Sequence, residues 1–288
     1  DGQPCDKCAG GNFSHAVINR CKKGSLGASL IAAMECSLFP PKKLSEWVTR
    51  FICPSRFLAD ILVKHGIPVG KVTNVPNFLP SLSIEPNGSD YFLYVGRLSP
   101  EKGVDTLLEA FHRVGRGKLI VAGDGPMRSE LENKAATLSS CDVEFVGQQS
   151  QQAVFHLLSN SLATVAPSTC WENFPFTVLE AMAAQKPVIA SRTGGMVEQV
   201  EHNRTGLLVE PGNVTQLAEQ ISHILDNPHL ARQMGAKGYA RVMSEYGPEK
   251  HYERIIQVYN EAIDNLNYGA RESRRRVIES PIMGAESR

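Results

Sequence analysis

Two carboxylates bracket a junction between a predicted strand and a predicted helix. Residues 162–166 form an apolar run that is typical of a buried parallel strand, and a helix-like pattern follows at residues 176–183. Glu172 lies in the connecting loop and Glu180 in the helix. Because open α/β sheets bind ligands at the carboxyl ends of their strands, the two side chains can bind different parts of one extended polar ligand. The alternative is an acidic loop residue and a solvated helical glutamate. The apolar face predicted for the helix comprises Phe176, Leu179, Met182 and Ala183.

Two cations occupy a similar junction earlier in the chain. Arg97 and Lys102 follow the predicted strand 91–95 and precede a helix that begins near Gly103. Arginine offers a planar fork to phosphate oxygens, lysine a compact charge, and a helix N-terminus a partial positive charge. The arrangement suits a diphosphate, and two ordinary surface cations are the alternative.

Three segments, in this order, resemble the retaining glycosyltransferase family 4. Residues 95–103 resemble its Gly-Arg-Leu-x-x-x-Lys-Gly element, and residues 167–183 resemble its Glu-x7-Glu signature as Pro-Ser-x3-Glu-Asn-Phe-Pro-x3-Leu-Glu-Ala-Met-Ala. Residues 203–213 are similar to its Asn-Gly-x-Thr-Gly-x-Leu-Val-x-Pro-x-Asp segment. The resemblance implies a GT-B fold, which has two Rossmann-like domains.

The same resemblance implies roles for individual residues. Arg97 and Lys102 would neutralise the diphosphate, Glu172 would contact the transferred sugar, and Glu180 would accept hydrogen bonds from the ribose hydroxyls. Arg97, Lys102 and Glu172 are therefore the predicted catalytic residues. The predicted donor-binding set is Gly96, Arg97, Lys102, Gly125, Asn173, Phe174, Pro175 and Glu180.

The segment after Glu172 departs from the family pattern. Asn173-Phe174-Pro175 stands where the family usually has Gly-Phe-Gly, and Pro175 has no N–H to donate. This variant resembles a bacterial subgroup that builds surface polysaccharides. The sequence leaves the transferred hexose undetermined.

The resemblance predicts transfer of a hexose, with retention, from a UDP- or GDP-sugar to a saccharide or lipid-linked acceptor in polysaccharide biosynthesis. Catalysis would require no metal, because Arg97 and Lys102 supply the positive charge. Two alternatives are a nucleotide-sugar 2-epimerase-like enzyme and a non-catalytic nucleotide-binding module. The absence of a Gly-x-Gly-x-x-Gly fingerprint disfavours a dehydrogenase.

Charge composition limits the classes of molecule that the chain can be expected to bind. The 288 residues carry 30 basic and 30 acidic side chains, so the chain offers no electrostatic footprint for nucleic acid. We expect a cytoplasmic protein, with peripheral contact on the inner face of the cell membrane as an alternative. Docking on acidic lipid is one interpretation of the helix-like residues 25–39, and a core helix is the other.

Cysteines near the start of the sequence are candidate ligands for a metal ion. Cys5-x2-Cys8-x12-Cys21, with His15 between them, resembles a zinc knuckle, since zinc takes four nitrogen or sulfur ligands tetrahedrally. The fourth ligand would be His15 or Cys36. Only one Cys-x2-Cys pair is present, so ordinary reduced thiols are the alternative, and a disulfide scaffold is disfavoured.

Predicted elements divide the chain into an α/β arrangement of four parts. Continuous apolar strands alternating with amphipathic helices predict one complete doubly wound parallel sheet at residues 85–247, which would bind the nucleotide sugar. Residues 1–84 are predicted to be the C-terminal remnant of an acceptor-binding domain plus a linker, so we expect the chain alone to be inactive. A crossover helix at 248–266 and a disordered tail at 267–288 complete the prediction. The predicted strands are 91–95, 118–122, 143–146, 162–166, 187–190 and 207–209.

Overall fold

A computed structural model describes residues 5–80, 87, 91–138 and 142–279. The first part of the chain forms a small unit around two parallel strands, β1 and β2. Most of the predicted linker between residues 79 and 90 lies outside the described residues. The elements of this unit are α1 (Ser14–Ile18), α2 (Leu26–Leu38), α3 (Pro41–Trp47), β1 (Phe51–Cys53), α4 (Arg56–Lys64) and β2 (Val72–Asn74).

A six-stranded parallel sheet forms the larger unit. Its strands are β3 (Tyr91–Val95), β4 (Lys118–Ala122), β5 (Asp142–Gly147), β6 (Ser161–Ala166), β7 (Val188–Ser191) and β8 (Gly206–Val209). Its spatial order is β5-β4-β3-β6-β7-β8, so the chain reverses its direction of winding between β3 and β6. Ligands of doubly wound sheets bind in the crevice at such a switch point. The loops after β3 and β6 therefore define the candidate site.

Helices cover both faces of this sheet. They are α5 (Val104–Val114), α6 (Arg128–Thr137), α7 (Gln151–Ser159), α8 (Phe176–Ala183), α9 (Met196–Gln199), α10 (Val214–Asp226) and α11 (Pro228–Glu245). The last helix, α12 (Pro248–Glu279), follows them. Successive residues of β3 enter different cores: Phe92 packs beneath α5, edge to face with Phe111 at 5.3 Å, and Leu93 packs with Leu179 of α8. The two-sided burial explains why the strands are apolar throughout.

The six predicted strands are all present, each within two residues of its predicted limits. Helix α4 is capped by Ser55, whose Oγ accepts a hydrogen bond from the Leu58 N–H at 3.1 Å. The last helix differs from the prediction: it runs beyond residue 266 to Glu279, through the segment predicted to be disordered. Arginine, glutamate and alanine in that segment are good helix formers, which accounts for the extension. Residues 280–288 of the predicted tail lie outside the described residues.

Polar contacts join the two units. Glu198, just before the end of α9, accepts hydrogen bonds from the Arg56 and Phe57 N–H groups at 2.9 and 2.8 Å, so it satisfies free donors at the start of α4. Arg50 pairs with Glu261 of α12 at 3.1 Å. The first turn of α4 and the loops of the larger sheet are thereby held in one arrangement.

Lys186 is a buried cation just before β7. Lys186 is only 6% exposed, and its Nζ donates a hydrogen bond to the Asn87 carbonyl oxygen at 3.1 Å. Burial disfavours the charged amine and lowers the pKa of Lys186 to about 8.

We expect Lys186→Met to stabilise the protein at pH 7. The unfolded chain binds more protons than the folded one between the lowered pKa near 8 and the ordinary lysine pKa of 10.5. Wild-type stability should therefore rise with pH across that window, and the advantage of the variant should shrink as it does. Denaturant unfolding of both proteins at pH 7, 8.5 and 10 measures the effect. Lys237→Met, at an exposed position of α11, is the control, and a variant no more stable than wild type at pH 7 would contradict the prediction.

Candidate functional site

Glu172 and Lys102 meet at the switch point. The Lys102 Nζ lies 2.6 Å from the Glu172 Oε1, and their side chains are 28% and 15% exposed. Ser168 Oγ donates a second hydrogen bond to the same oxygen at 2.6 Å. Residues that are 70 positions apart in sequence are joined because β3 and β6 are neighbours in the sheet.

The two loops are also joined through their backbones. Lys102 ends a 3₁₀ turn, Pro100–Lys102, and Gly103 follows in the left-handed region at φ 68°. A Cβ at Gly103 would overlap the Pro167 carbonyl, so the position requires glycine for space as well as for conformation. The Thr169 N–H donates to the Glu101 carbonyl oxygen at 2.9 Å. Lys102 is thus presented to Glu172 by loops that pack backbone against backbone.

Two adjoining cavities share Val95 and Gly96. The smaller, of about 170 Å³, is lined by Lys102, Ser168 and Glu172 and by the start of α8. The larger, of about 470 Å³, is lined by Arg97, by residues 123–125 and by Gln148 and Gln149. Each predicted cation lines one cavity: Arg97, which is exposed, lines the larger one, and Lys102, which is half-buried, lines the smaller one. An elongated anion passing Gly96 could reach both.

Gly125 belongs to the loop after β4. A Cβ there would overlap the Leu98 carbonyl, and the Leu98 N–H donates to the Asp124 carbonyl oxygen at 2.9 Å. The glycine therefore allows the loops after β3 and β4 to pack closely at the wall of the larger cavity. In the structure, Gly125, a member of the predicted donor-binding set, thus makes a close contact with the backbone of Leu98.

Gly194 and Gly195 support the Glu172 loop from the side of β7. The Gly195 N–H donates to the Glu172 carbonyl oxygen at 2.6 Å. A Cβ at Gly195 would overlap the Asn173 carbonyl oxygen, and a Cβ at Gly194 would overlap the Glu172 carbonyl. These glycines let one backbone lie directly on another, and they are part of what fixes the position of Glu172.

The three residues after Glu172 have different environments. Asn173 is exposed, and its Oδ1 accepts a hydrogen bond from Ser55 Oγ at 2.8 Å. Phe174 is buried and packs edge to face on Tyr246 at 5.4 Å, so its side chain belongs to the core. Pro175 lines the smaller cavity and precedes α8. Any ligand contact from Phe174 must therefore come from its backbone.

Helix α8 presents a different face from the one predicted. Leu179, Met182 and Ala183 are buried as expected, whereas Phe176 is 50% exposed and lines the smaller cavity. Phe176 and Glu180 are four residues apart, so they lie on the same side of the helix. Glu180 is half-buried, and among the described residues no hydrogen bond or ion pair to its carboxylate is found. Burial raises the pKa of Glu180.

The predicted zinc ligands do not form a ligand set. In the part of the chain that the structure describes, no three His, Cys, Asp or Glu side chains converge closely enough to hold a metal ion. Cys5, Cys8, Cys21 and Cys36 are free thiols, and burial is the main cause that raises the pKa of Cys8. A zinc knuckle formed by these cysteines with His15 stays a prediction.

Two positioning residues of the site were missed by sequence reasoning. Ser168 is part of the Pro-Ser-x3-Glu pattern without a predicted role, and Ser55 is outside all three motifs. The Pro-Ser pair that precedes Glu172 was the available signal for Ser168. No local pattern connects Ser55 with Asn173, which lies 118 residues away.

The fold and the site together define the class of protein. A doubly wound parallel sheet with cations after β3 and a carboxylate after β6, packed against a second parallel α/β unit, is the GT-B architecture. Residues 82–241, more than half of the chain, match the family Glycosyl transferases group 1. The chain belongs to this family.

Relatives agree with the assignment. The Mycobacterium tuberculosis glycogen synthase is 32% identical over 232 residues, which are 75% of this chain and 56% of that protein. The lipopolysaccharide 1,2-N-acetylglucosaminetransferase of Salmonella typhimurium is 29% identical over 279 residues, or 88% of this chain and 71% of that protein. The structure of Anabaena HepE with UDP and glucose aligns with a TM-score of 0.67 at 20% identity, covering 74% of this chain and 63% of that one, which is a likeness of fold. The chain spans about half the length of several curated relatives that it matches.

Among the described residues, no helix combines the length and apolar character needed to cross a bilayer.

Proposed function

We propose that this chain is the donor-binding part of a retaining glycosyltransferase that transfers a hexose from a UDP- or GDP-sugar to a saccharide or lipid-linked acceptor. The observation that carries the proposal is the meeting of Lys102 and Glu172 at the switch point, with Arg97 in the adjoining cavity. A diphosphate-linked sugar has an anionic centre flanked by two sets of hydroxyls, and this site places Glu172 beside Lys102, Arg97 in the adjoining cavity and Glu180 on the helix that follows Glu172.

The cations have a chemical role in the proposed reaction. Cleavage of the bond between the anomeric carbon and the phosphate oxygen leaves negative charge on the diphosphate. Donors placed where this charge develops stabilise the transition state, typically by about 3 to 4 kcal/mol each. Arg97 and Lys102 would serve in this way without a catalytic metal. The leaving phosphate would help to take the acceptor proton on the same face of the sugar, which gives retention.

Glu172 and Glu180 would bind the two ends of the donor. Glu172 lines the cavity that contains Lys102, where the sugar would follow the diphosphate. Glu180 has a half-buried carboxylate whose acceptor capacity no described residue uses, which suits hydrogen bonds from two ribose hydroxyls.

Relatives suggest the broader context. The names of two relatives describe glycogen and lipopolysaccharide synthesis, and one structural neighbour was solved with UDP and glucose. These support a UDP-hexose and a polysaccharide product for this chain. The Asn-Phe-Pro segment fits the same proposal, because Asn173 and Phe174 are held by the first unit and leave Pro175 facing the sugar cavity.

Calorimetric titration of the 288-residue chain with UDP and GDP tests the donor assignment. Saturable binding of one nucleotide in preference to the other would support the proposal and identify the base. A folded chain that binds neither nucleotide would contradict it. Release of free sugar from UDP-glucose in the absence of any acceptor would instead favour the epimerase-like alternative.

Glu180→Gln tests the second carboxylate. Because the pKa of the folded carboxyl is raised, the folded state binds the proton more readily than the unfolded chain. Stability therefore falls as pH rises from the ordinary glutamate value through the raised one. We expect the amide variant to melt higher than wild type at pH 7 and to bind nucleotide more weakly. Thermal denaturation and titration measure both effects, with Glu219→Gln on the exposed side of α10 as control. Unchanged nucleotide affinity would argue against the ribose role.

A further inference from the structure

One oxygen of Glu172 accepts two short hydrogen bonds. Lys102 Nζ and Ser168 Oγ each lie 2.6 Å from Oε1. Ser168 is 5% exposed and the Glu172 side chain 15%, so both contacts form largely away from bulk water. In such surroundings a hydrogen bond is stronger, and an unpaired carboxylate is costlier, than at the surface.

Lys102 therefore has two competing anionic partners under the proposed function. A diphosphate bound to its ammonium group would stand beside the Glu172 carboxylate, and like charges at such separations repel. The carboxylate must give up part of its contact with Lys102 for the phosphate to bind well. The other close partner of the carboxylate, the Ser168 hydroxyl, is uncharged, and the phosphate does not compete for it.

We propose that Ser168 is a positioning residue. Its hydroxyl keeps the Glu172 carboxylate hydrogen-bonded when a nucleotide diphosphate replaces that carboxylate as the partner of the Lys102 ammonium group. The inference rests on the proposed donor site. Exchange of partners at Lys102 would then couple diphosphate binding to the release of Glu172 toward the sugar. Cys170, whose Sγ lies 3.9 Å from the same oxygen, is a much weaker donor and could not replace the serine.

The exchange predicts opposite effects for two neighbouring substitutions. Glu172→Gln removes the competitor for Lys102, so UDP or GDP should bind about three- to tenfold more tightly. Ser168→Ala deprives the released carboxylate of its remaining donor, so the nucleotide should bind about three- to tenfold more weakly. Ser168→Thr retains the hydroxyl and should restore most of the wild-type affinity.

Combined variants separate this mechanism from a general loss of structure. Ser168→Ala with Glu172→Gln should bind as tightly as Glu172→Gln alone, because the serine acts only through the carboxylate. Lys102→Met should abolish the gain from Glu172→Gln, because the gain comes from freeing that lysine. Ser159→Ala, at another buried serine, is the matched control and should leave affinity unchanged. A serine with a merely structural role would give additive losses in every background.

Isothermal titration of the full chain with UDP and GDP, with circular dichroism of each variant, provides the readout. If wild type binds nucleotide but Glu172→Gln binds it no more tightly, or Ser168→Ala binds it equally well, the inference is wrong and the proposed donor site stands. If the folded wild type and every variant bind neither nucleotide, the proposed function fails and the inference fails with it.

Discussion

Arg97→Ala and Lys102→Ala should each weaken nucleotide-diphosphate binding by about ten- to hundredfold, which corresponds to the loss of one charge-assisted hydrogen bond. Arg97 is exposed at the larger cavity, and its guanidinium can bind two phosphate oxygens in one plane. Lys102 lies in the smaller cavity beside Glu172. Its removal also leaves that carboxylate unpaired where the phosphate must bind, so the lysine variant should show the larger loss.

Surface cations of the same type provide controls for these two variants. Arg116→Ala removes an arginine whose partner is Asp226 at 2.6 Å, with both side chains more than half exposed. Lys134→Ala removes a lysine that pairs with Glu109 across α5 and α6. Neither lines the cavities, and exposed pairs contribute little to stability. Binding curves that coincide for Arg97→Ala and Arg116→Ala would show that the phosphate does not use Arg97.

Gly195→Ala should abolish nucleotide binding and destabilise the fold, although it adds only one methyl group and removes no charge. Gly195 has an ordinary φ of −73°, so backbone conformation is not the cause. The added Cβ would overlap the Asn173 carbonyl oxygen, and the Gly195 N–H holds the Glu172 carbonyl at 2.6 Å. The loop must therefore move, and Glu172 and Pro175 must move with it. Overpacking of this kind typically costs about 1 to 3 kcal/mol.

Gly70→Ala is the matched control, because Gly70 has no positive φ and a Cβ there meets nothing within 4 Å. Thermal denaturation and UDP titration of both variants give stability and site integrity separately. We expect the control to equal wild type in both measurements. A Gly195→Ala protein with wild-type melting temperature and affinity would show that the Glu172 loop does not depend on this contact.

Sheet order explains why these distant substitutions affect one site. Strand β3 delivers Arg97 and Lys102, β6 delivers Ser168 and Glu172, and β7 delivers Gly195. All three strands are parallel and adjacent, so their carboxyl ends meet at one edge. The chain between β3 and β6 supplies β4 and β5 on the far side, which opens the crevice.

The sequence by itself determined the elements of the larger unit. Strands such as β3 and β7 are apolar along their whole length, and helices such as α5 and α10 carry regular apolar faces. These periodicities reflect burial on two sides or on one, and they identify strands and helices from local information alone. The motifs also predicted that Arg97, Lys102 and Glu172 lie at one edge of the sheet, because each follows a predicted strand of a parallel sheet.

Only the tertiary structure decided how those residues interact. The pairing of Lys102 with Glu172 joins loops that are 70 residues apart, and the contact of Gly195 with Glu172 joins loops that are 23 residues apart. The second hydrogen bond to Glu172 comes from Ser168, four residues earlier in the same loop. Tertiary packing also placed Phe174 in the core and exposed Phe176 at the cavity, contrary to the face predicted for α8. Residue type and spacing predict which side chains reach the edge of a sheet, but the partner of each depends on strand order and close backbone packing, which no local pattern contains.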